Sequence, residues 1–240
     1  MERVCFTSAR ASGGRAWYAA RHARRLARDA QLLGLGEIDP GLALRLLDEL
    51  AAPTRGGGGD LKLRLEAWRD PDGAPRLRGS ARVLEEDAPT WRAIVAPAPH
   101  PGPTATSTAK TTDRSLYDAA LAAARAAEAD EALLCDAAGF LVEGARTNLV
   151  VALADGSLVT PPLARGAQAG VARGILLEHV AELREAEVSR AALASARELI
   201  AVNAVRGARA ITSLDGRPLG DGQPGPWSAR LDRALASARR

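Results

Sequence analysis

The chain has 240 residues, of which 47% are apolar but only 3% are aromatic, so its core must be aliphatic. This length can bury one large core or two modest ones. The net charge of +3 is spread over interspersed residues of both signs. Without clustered cations or interleaved aromatic residues, the pattern argues against a nucleic-acid-binding protein, and no apolar run approaches the length of a membrane span.

The cysteine and histidine positions exclude a metal site with familiar ligand spacing. Cys5 and Cys135 lie far apart without a CxxC partner, and the three histidines are scattered. We therefore predict no metal centre. The cytoplasm, where thiols stay reduced, is the expected compartment.

The first half of the chain predicts strands and two helices. Strand patterns cover residues 4–9, 61–68, 76–84 and 91–96. Amphipathic helices are predicted at residues 18–33 and 40–50. Asp39 is the expected N-cap of the second helix, with Pro40 at its first position.

Residues 98–108 are rich in proline and small polar residues, which is typical of an interdomain connector. We therefore predict a small N-terminal domain at residues 1–97 and a larger C-terminal domain at residues 109–240. In the latter, helices are predicted at residues 116–127, 171–183 and 227–236. Strands are predicted at residues 131–136, 141–143, 148–153, 158–160, 197–202 and 209–213. The expected fold class is α+β in two lobes.

Lysine is almost absent from this arginine-rich chain. Of 32 basic residues only Lys62 and Lys110 are lysines. An amine with a tunable pKa can react with a carbonyl group, whereas a guanidinium stays protonated. Lys62 alternates with apolar residues, as on the wet face of a strand, but no periodicity explains Lys110. Lys110 is therefore a candidate nucleophile, with a solvated loop lysine as the alternative.

Lys110 is the first of four elements that together form a pattern. The other three are E-G-A-R-T-N at 143–148, T-P-P at 160–162 leading to G-V-A-R at 170–173, and N-A-V-R-G at 203–207. Taken singly, each of these elements could also be an ordinary structural feature, such as a turn or the first residues of a helix. Their order and spacing together resemble the class IV aminotransferase family, the fold type IV pyridoxal-phosphate enzymes. The resemblance extends over essentially the whole chain and is strongest from Lys110 to Arg173.

The resemblance implies roles for residues at each end of the cofactor ring. Lys110 matches the lysine that binds pyridoxal phosphate covalently and later moves the substrate proton. Glu143 matches the acid that keeps the pyridine nitrogen protonated, and Asn148 belongs to the same cofactor-binding segment. His22-Ala23-Arg24-Arg25-Leu26 resembles the family's H-x-x-R-L segment, so Arg25 is the expected phosphate ligand.

Two further segments are expected to bind the cofactor phosphate through their backbone. Val171 and Ala172 open a helix, whose free N–H groups attract an anion. Asn203 and Ala204 resemble the second phosphate segment. Ala172 and Ala204 stand where threonine occurs in relatives, so hydroxyl contacts are lost and Arg25 should carry more of the binding.

Local features resemble aminodeoxychorismate lyases within this family. C-F-T-S-A-R at 5–10, K-T-T-D-R at 110–114 and the Asn203-Ala204 pair carry this likeness. The implied reaction converts 4-amino-4-deoxychorismate to 4-aminobenzoate and pyruvate, with Thr7 as a candidate acid. The substrate is a dicarboxylate, for which Arg10, Arg114 and Arg206 are candidate ligands.

Two other functions stay open at this point. A transaminase for branched-chain or D-amino acids would share Lys110, Glu143 and Arg25, and a non-catalytic member of the fold would explain the alanines at the phosphate positions. The resemblance also implies a homodimer.

Overall fold

The computed structural model describes residues 4–57 and 59–239. They form two compact units. The first contains the described residues up to Glu86 together with residues 108–113 and Arg239, and the second contains Asp87–Ser107 and Arg114–Ala238. None of the described helices is long and apolar enough to cross a membrane.

The first unit packs two helices on one face of an antiparallel sheet. Its core is aliphatic, as expected, and is built mainly from alanine and leucine. The sheet order is β2-β1-β3-β4. The strands are β1 (Val4–Ser12), β2 (Arg15–Ala16), β3 (Leu61–Arg69) and β4 (Pro75–Val83), and the helices are α1 (Ala19–Leu32) and α2 (Pro40–Ala51).

The N-cap prediction for α2 is confirmed, because the Asp39 side chain accepts hydrogen bonds from the N–H groups of Gly41 and Leu42. These bonds satisfy two of the donors that a helix leaves open at its start. Pro40, which has no N–H to satisfy, occupies the first helical position.

The second unit contains a nine-stranded mixed sheet in the order β10-β9-β8-β11-β12-β5-β6-β7, with β13 paired to β12. The strands are β5 (Thr90–Val95), β6 (Glu131–Cys135), β7 (Leu141–Gly144), β8 (Asn148–Ala152), β9 (Leu158–Thr160), β10 (Leu183–Glu185), β11 (Glu198–Asn203), β12 (Gly207–Leu214) and β13 (Arg217–Pro218). The helices are α3 (Ser115–Ala126), α4 (Val171–His179), α5 (Arg190–Ala194) and α6 (Pro226–Ser237). This mixture confirms the α+β prediction.

The two units differ from the predicted domains in two segments. Strand β5, assigned above to the N-terminal domain, pairs in parallel with β6 and β12 and so belongs to the second unit. The segment around Lys110, assigned above to the C-terminal domain, belongs to the first unit. The Lys110 carbonyl accepts a hydrogen bond from the N–H of Phe6, and the Thr112 N–H donates to the carbonyl of Val4.

The predicted helix at residues 171–183 is too long. Helix α4 ends at His179, and Leu183 begins β10, which runs parallel to β9. Pairing with Leu158 on β9 overrides the local helical pattern, since tertiary context decides short apolar segments. The short helix α5 was not predicted.

Candidate functional site

The backbone of Lys110 is fixed on both sides within the first unit. Its carbonyl accepts from the Phe6 N–H at 2.9 Å, and its own N–H donates to Oδ2 of Asp29 at 3.0 Å. The Lys110 amine lies 4.8 Å from the centroid of the Phe6 ring, which also carries the Arg64 guanidinium at 3.8 Å. The Lys110 backbone is thus held between strand β1 and the Asp29 side chain of helix α1.

Helix α1 presents three polar side chains toward β1. His22, Arg25 and Asp29 are spaced by three and four residues and therefore lie on one helix face. Arg25 Nη2 donates to the Thr7 hydroxyl at 2.6 Å, and this hydroxyl is 2.6 Å from Nδ1 of His22. The Nε atom of Arg25 is buried and has no hydrogen-bond partner within the described ranges. A donor in this state suits an anionic ligand.

Burial changes the acid–base behaviour of this cluster. It holds the pKa of His22 well below its usual range, with the nearby Arg25 charge adding to the effect. A neutral His22 can accept the Thr7 hydrogen at Nδ1, an assignment made from the hydrogen-bond network. Burial also lowers the pKa of Arg25 to about 10, while the Asp29 carboxylate opposes this shift. Arg25 therefore stays charged at neutral pH.

In the second unit, the Glu143 carboxylate is buried and accepts several hydrogen bonds. The Tyr117 hydroxyl donates to Oε1 at 2.8 Å, and the backbone N–H of Gln168 donates to Oε2 at 3.0 Å. Asn148 adds a long contact of 3.5 Å from Nδ2 to Oε2 and donates to the Gln168 carbonyl at 3.0 Å. Glu143 and Asn148 are therefore brought together, as the resemblance implies.

The start of helix α4 lies against Asn148. Gly170 is the N-cap residue and provides no side-chain cap, so the first helical N–H groups, those of Val171 and Ala172, have no partner within the helix. A Cβ added at Gly170 would overlap Oδ1 of Asn148. Arg173 holds this helix end, because its Nη2 donates to the Pro161 carbonyl at 2.9 Å and pairs with Glu185.

The turn after β11 is organised by Asn203. Its Oδ1 accepts hydrogen bonds from the N–H groups of Val205 at 3.0 Å and Arg206 at 2.7 Å. Ala204, inside this turn, is buried. The Asn203 side chain thus shapes the backbone of the turn, and its contact with a phosphate stays a prediction.

The three arginines predicted to bind the substrate all have partners inside their own unit. Arg10 pairs with Asp60. Arg114 donates to the Ala145 carbonyl at 2.8 Å, and Arg206 lies 3.6 Å from Asp87. These contacts give each arginine a structural role, so their role toward a substrate stays a prediction.

Sequence reasoning missed Asp29, Tyr117 and Gln168. Asp29 carries a visible signal, because it is an acidic residue at a buried position of an amphipathic helix and lies four residues after Arg25. Tyr117 and the backbone of Gln168 contact Glu143 only through the tertiary fold, for which a single sequence gives no signal.

Comparison with known proteins gives the family. The family model described as amino-transferase class IV matches residues 4–214. Over 109 residues the chain is 32% identical to the branched-chain-amino-acid aminotransferase of Salmonella typhimurium, a match that covers 44% of this chain and 35% of that enzyme. The chain therefore spans only about a third of that curated relative.

Solved structures share the fold over nearly the whole chain. A hypothetical aminotransferase from Mycobacterium tuberculosis, in its PLP-bound form, has a TM-score of 0.87 at 21% identity and covers 98% of this chain and 88% of that one. A Legionella pneumophila protein, provisionally named 4-amino-4-deoxychorismate lyase, has a TM-score of 0.85 at 20% identity. The match covers 99% of this chain and 91% of that one. At these identities the likeness concerns the fold.

Proposed function

Because this chain belongs to the class IV aminotransferase family, we propose that it is a pyridoxal-phosphate-dependent lyase. The proposed reaction converts 4-amino-4-deoxychorismate to 4-aminobenzoate and pyruvate. The observation that carries the proposal is the position of the lyase-like segment at residues 5–10. It forms β1, which provides Phe6 beneath the Lys110 amine and Thr7 against Arg25.

The residues fit pyridoxal phosphate on chemical grounds. The buried Arg25 Nε, which has no partner among the described residues, is a donor that a phosphate oxygen would satisfy. The amides of Val171 and Ala172 at the start of α4 offer a second anion-binding group. Glu143 would face the pyridine nitrogen, with Asn148 beside it. Bound there, the cofactor would supply an electron sink for a carbanion.

The chain's own residues account for the proton movements. The Lys110 amine would accept the proton from the ring carbon that bears the substrate nitrogen. The bond between the ring and the enolpyruvyl oxygen would break, and the released enol would take up a proton to become pyruvate. Thr7 is the proposed proton source, through a hydroxyl that the neighbouring His22 can hold in position. Formation of the aromatic ring drives the step.

A second candidate is a transaminase for branched-chain amino acids or D-amino acids. The sequence match to the Salmonella typhimurium branched-chain-amino-acid aminotransferase favours it. This enzyme would use the same Lys110, Glu143 and Arg25, so those residues do not separate the two functions. A homodimer in the cytoplasm is proposed for either activity.

The test is to supply 4-amino-4-deoxychorismate to protein loaded with pyridoxal phosphate. Pyruvate and 4-aminobenzoate should appear in equal amounts, and Lys110→Ala should abolish both. A parallel reaction with leucine or D-alanine plus 2-oxoglutarate measures glutamate. Glutamate without pyruvate would replace the lyase by the transaminase, and neither product, with no visible absorption from bound cofactor, would indicate a non-catalytic protein.

A further inference from the structure

Asp29 is a fully buried carboxylate in the first unit, and the function proposed above does not use it. Its Oδ1 accepts from Nε and Nη2 of Arg28 at 3.0 and 2.6 Å, and its Oδ2 accepts from the backbone N–H of Lys110 at 3.0 Å. Burying a charge is costly unless it is paired and hydrogen-bonded. Both requirements are met at Asp29.

The contact with Arg28 alone does not explain this carboxylate. The Arg28 side chain is 47% exposed, and ion pairs with exposed partners contribute little to stability because solvent screens them. The second oxygen of Asp29 accepts from the backbone N–H of Lys110, and a hydrogen bond to a charged acceptor is stronger than one between neutral groups. Arg28 also donates to the Thr108 carbonyl at 3.4 Å, so the pair engages the Lys110 segment at two points.

The hydrogen bond from Lys110 to Asp29 helps to set the direction in which the lysine side chain leaves the backbone. The two peptide planes that flank a residue fix its Cα–Cβ bond. In Lys110, Asp29 holds the preceding plane through the N–H, and Phe6 holds the following plane through the carbonyl. The two bonds thus fix the Cα–Cβ direction, and the amine at the end of this side chain lies 4.8 Å from the centroid of the Phe6 ring.

Asp29 also lies four residues after Arg25, on the same face of α1. Its carboxylate therefore places a negative charge close to the guanidinium that is proposed to bind phosphate, and it raises the pKa of Arg25 against the effect of burial. The same side chain thus acts on the two residues of the first unit that would hold opposite ends of the cofactor.

We propose that Asp29 is a positioning residue, which holds the Lys110 backbone so that the amine is presented over Phe6 for its reaction with an aldehyde. This role rests on the proposed function for its purpose, but the anchoring itself exists without cofactor. Asp29 acts through the peptide nitrogen of Lys110 and is not a catalytic residue.

The first measurement is amide hydrogen exchange of the Lys110 segment in the full chain without added cofactor. Asp29→Ala should lose protection at Lys110 by roughly tenfold or more, as expected for a buried bond to a charged acceptor. Asp29→Asn keeps an acceptor oxygen but not the charge, so protection of the Lys110 amide from exchange should fall by several-fold in this variant. Protection of β3 should be unchanged, and the exposed control Asp48→Asn should behave as wild type.

The second measurement is the rate at which pyridoxal phosphate becomes attached to Lys110, followed by borohydride reduction and peptide mass analysis. We expect capture to slow by roughly tenfold in Asp29→Ala, in proportion to the lost bond, and less in Asp29→Asn. Partial rescue by asparagine, at unchanged thermal stability, separates positioning from a general loss of structure.

The outcomes decide two questions separately. Wild-type exchange and capture rates in Asp29→Ala would overturn the positioning role. If that variant does not fold, unchanged exchange and capture in Asp29→Asn would overturn it. No capture by the wild-type protein would overturn the proposed function, whereas lost protection in Asp29→Ala would still support the anchoring of Lys110.

Discussion

Tyr117 donates a hydrogen bond of 2.8 Å to Oε1 of Glu143, and thereby links helix α3 to strand β7 within the second unit. Burial, together with the Glu143 charge, raises the pKa of Tyr117 far above its usual value. The phenol therefore remains a donor at any pH at which the protein would work. Glu143 is held at its other oxygen by the N–H of Gln168, so donors engage both oxygens of the carboxylate.

Replacing Tyr117 with phenylalanine removes this donor and leaves the ring. A hydrogen bond to a charged group contributes about 1.5–3 kcal/mol, and Tyr117 is only half buried. We therefore expect pyridoxal phosphate to bind roughly tenfold more weakly, because Glu143 is less well held. Titration of the cofactor's visible absorption measures this. Wild-type affinity in Tyr117→Phe would show that the carboxylate is oriented without the tyrosine.

Alanine at Gly170 should disturb the start of α4. The backbone there is extended with φ −70°, so alanine fits the conformation, but its Cβ would overlap Oδ1 of Asn148. Overpacking of this kind costs about 1–3 kcal/mol. We expect a lower free energy of unfolding and weaker cofactor binding, measured by denaturant titration and absorption.

Gly174, one turn later in the same helix, is the matched control for Gly170. An added Cβ meets nothing within 4 Å there, and alanine is favoured over glycine inside a helix by about 1 kcal/mol. Gly174→Ala should therefore be slightly more stable than wild type. Equal effects at both positions would show that the Asn148 contact is not the cause.

The buried His22 should make the protein less stable in mild acid. Its folded-state pKa is depressed by burial and by Arg25, whereas the unfolded imidazole takes up a proton near pH 6.5. The unfolded state thus binds more protons, and stability present above about pH 6.5 is lost as the pH falls, by up to about 1.4 kcal/mol per pH unit.

Denaturant unfolding of His22→Asn between pH 7 and pH 5.5 tests this dependence, since asparagine offers Thr7 a similar acceptor. The variant should lose less stability than wild type over that interval. Part of the slope should remain, because burial also lowers the pKa of His100, against the opposing charge of Asp136. Identical slopes in the two proteins would mean that His22 takes up its proton equally in the folded and unfolded states, and so has no depressed pKa.

Two lysines in the chain allow a clean assignment of the reactive amine. After incubation with pyridoxal phosphate and borohydride reduction, the adduct should be found on Lys110, where Phe6 backs the amine. Lys62→Ala, on strand β3, should retain the adduct, and Lys110→Ala should lose it. Modification of both lysines in equal amounts would indicate surface chemistry rather than a binding site.

Sequence patterns within a few residues predict most of the helices and strands, but they do not predict every boundary of a helix or every pairing of a strand. The Asp39-Pro40 cap fixes the start of α2, because its hydrogen bonds lie within four residues. The end of α4 was missed because the pairing of Leu183 with Leu158 decides it. Strand β5 was assigned to the wrong unit for the same reason, since its partners β6 and β12 are distant in sequence.

The candidate site residues likewise divide into those that the sequence indicates and those that only the tertiary fold brings into contact. Lys110, Glu143 and Arg25 stand out in the sequence through residue scarcity and spacing, and the structure gives each a defined setting within its own unit. Tyr117 is one of many plausible helix residues until the fold places it on Glu143. The resemblance predicts which residues perform chemistry, and the structure shows which side chains and backbone groups contact them.

The path of the chain brings the segment around Lys110 back to strand β1. Residues 110–112 are far from β1 in the sequence but pair with its edge at Val4 and Phe6, so this edge is bare until they arrive. A fragment that stops after β4 would expose that edge, which invites aggregation. Covering this edge of the first sheet therefore brings the Lys110 backbone against β1 in the same step.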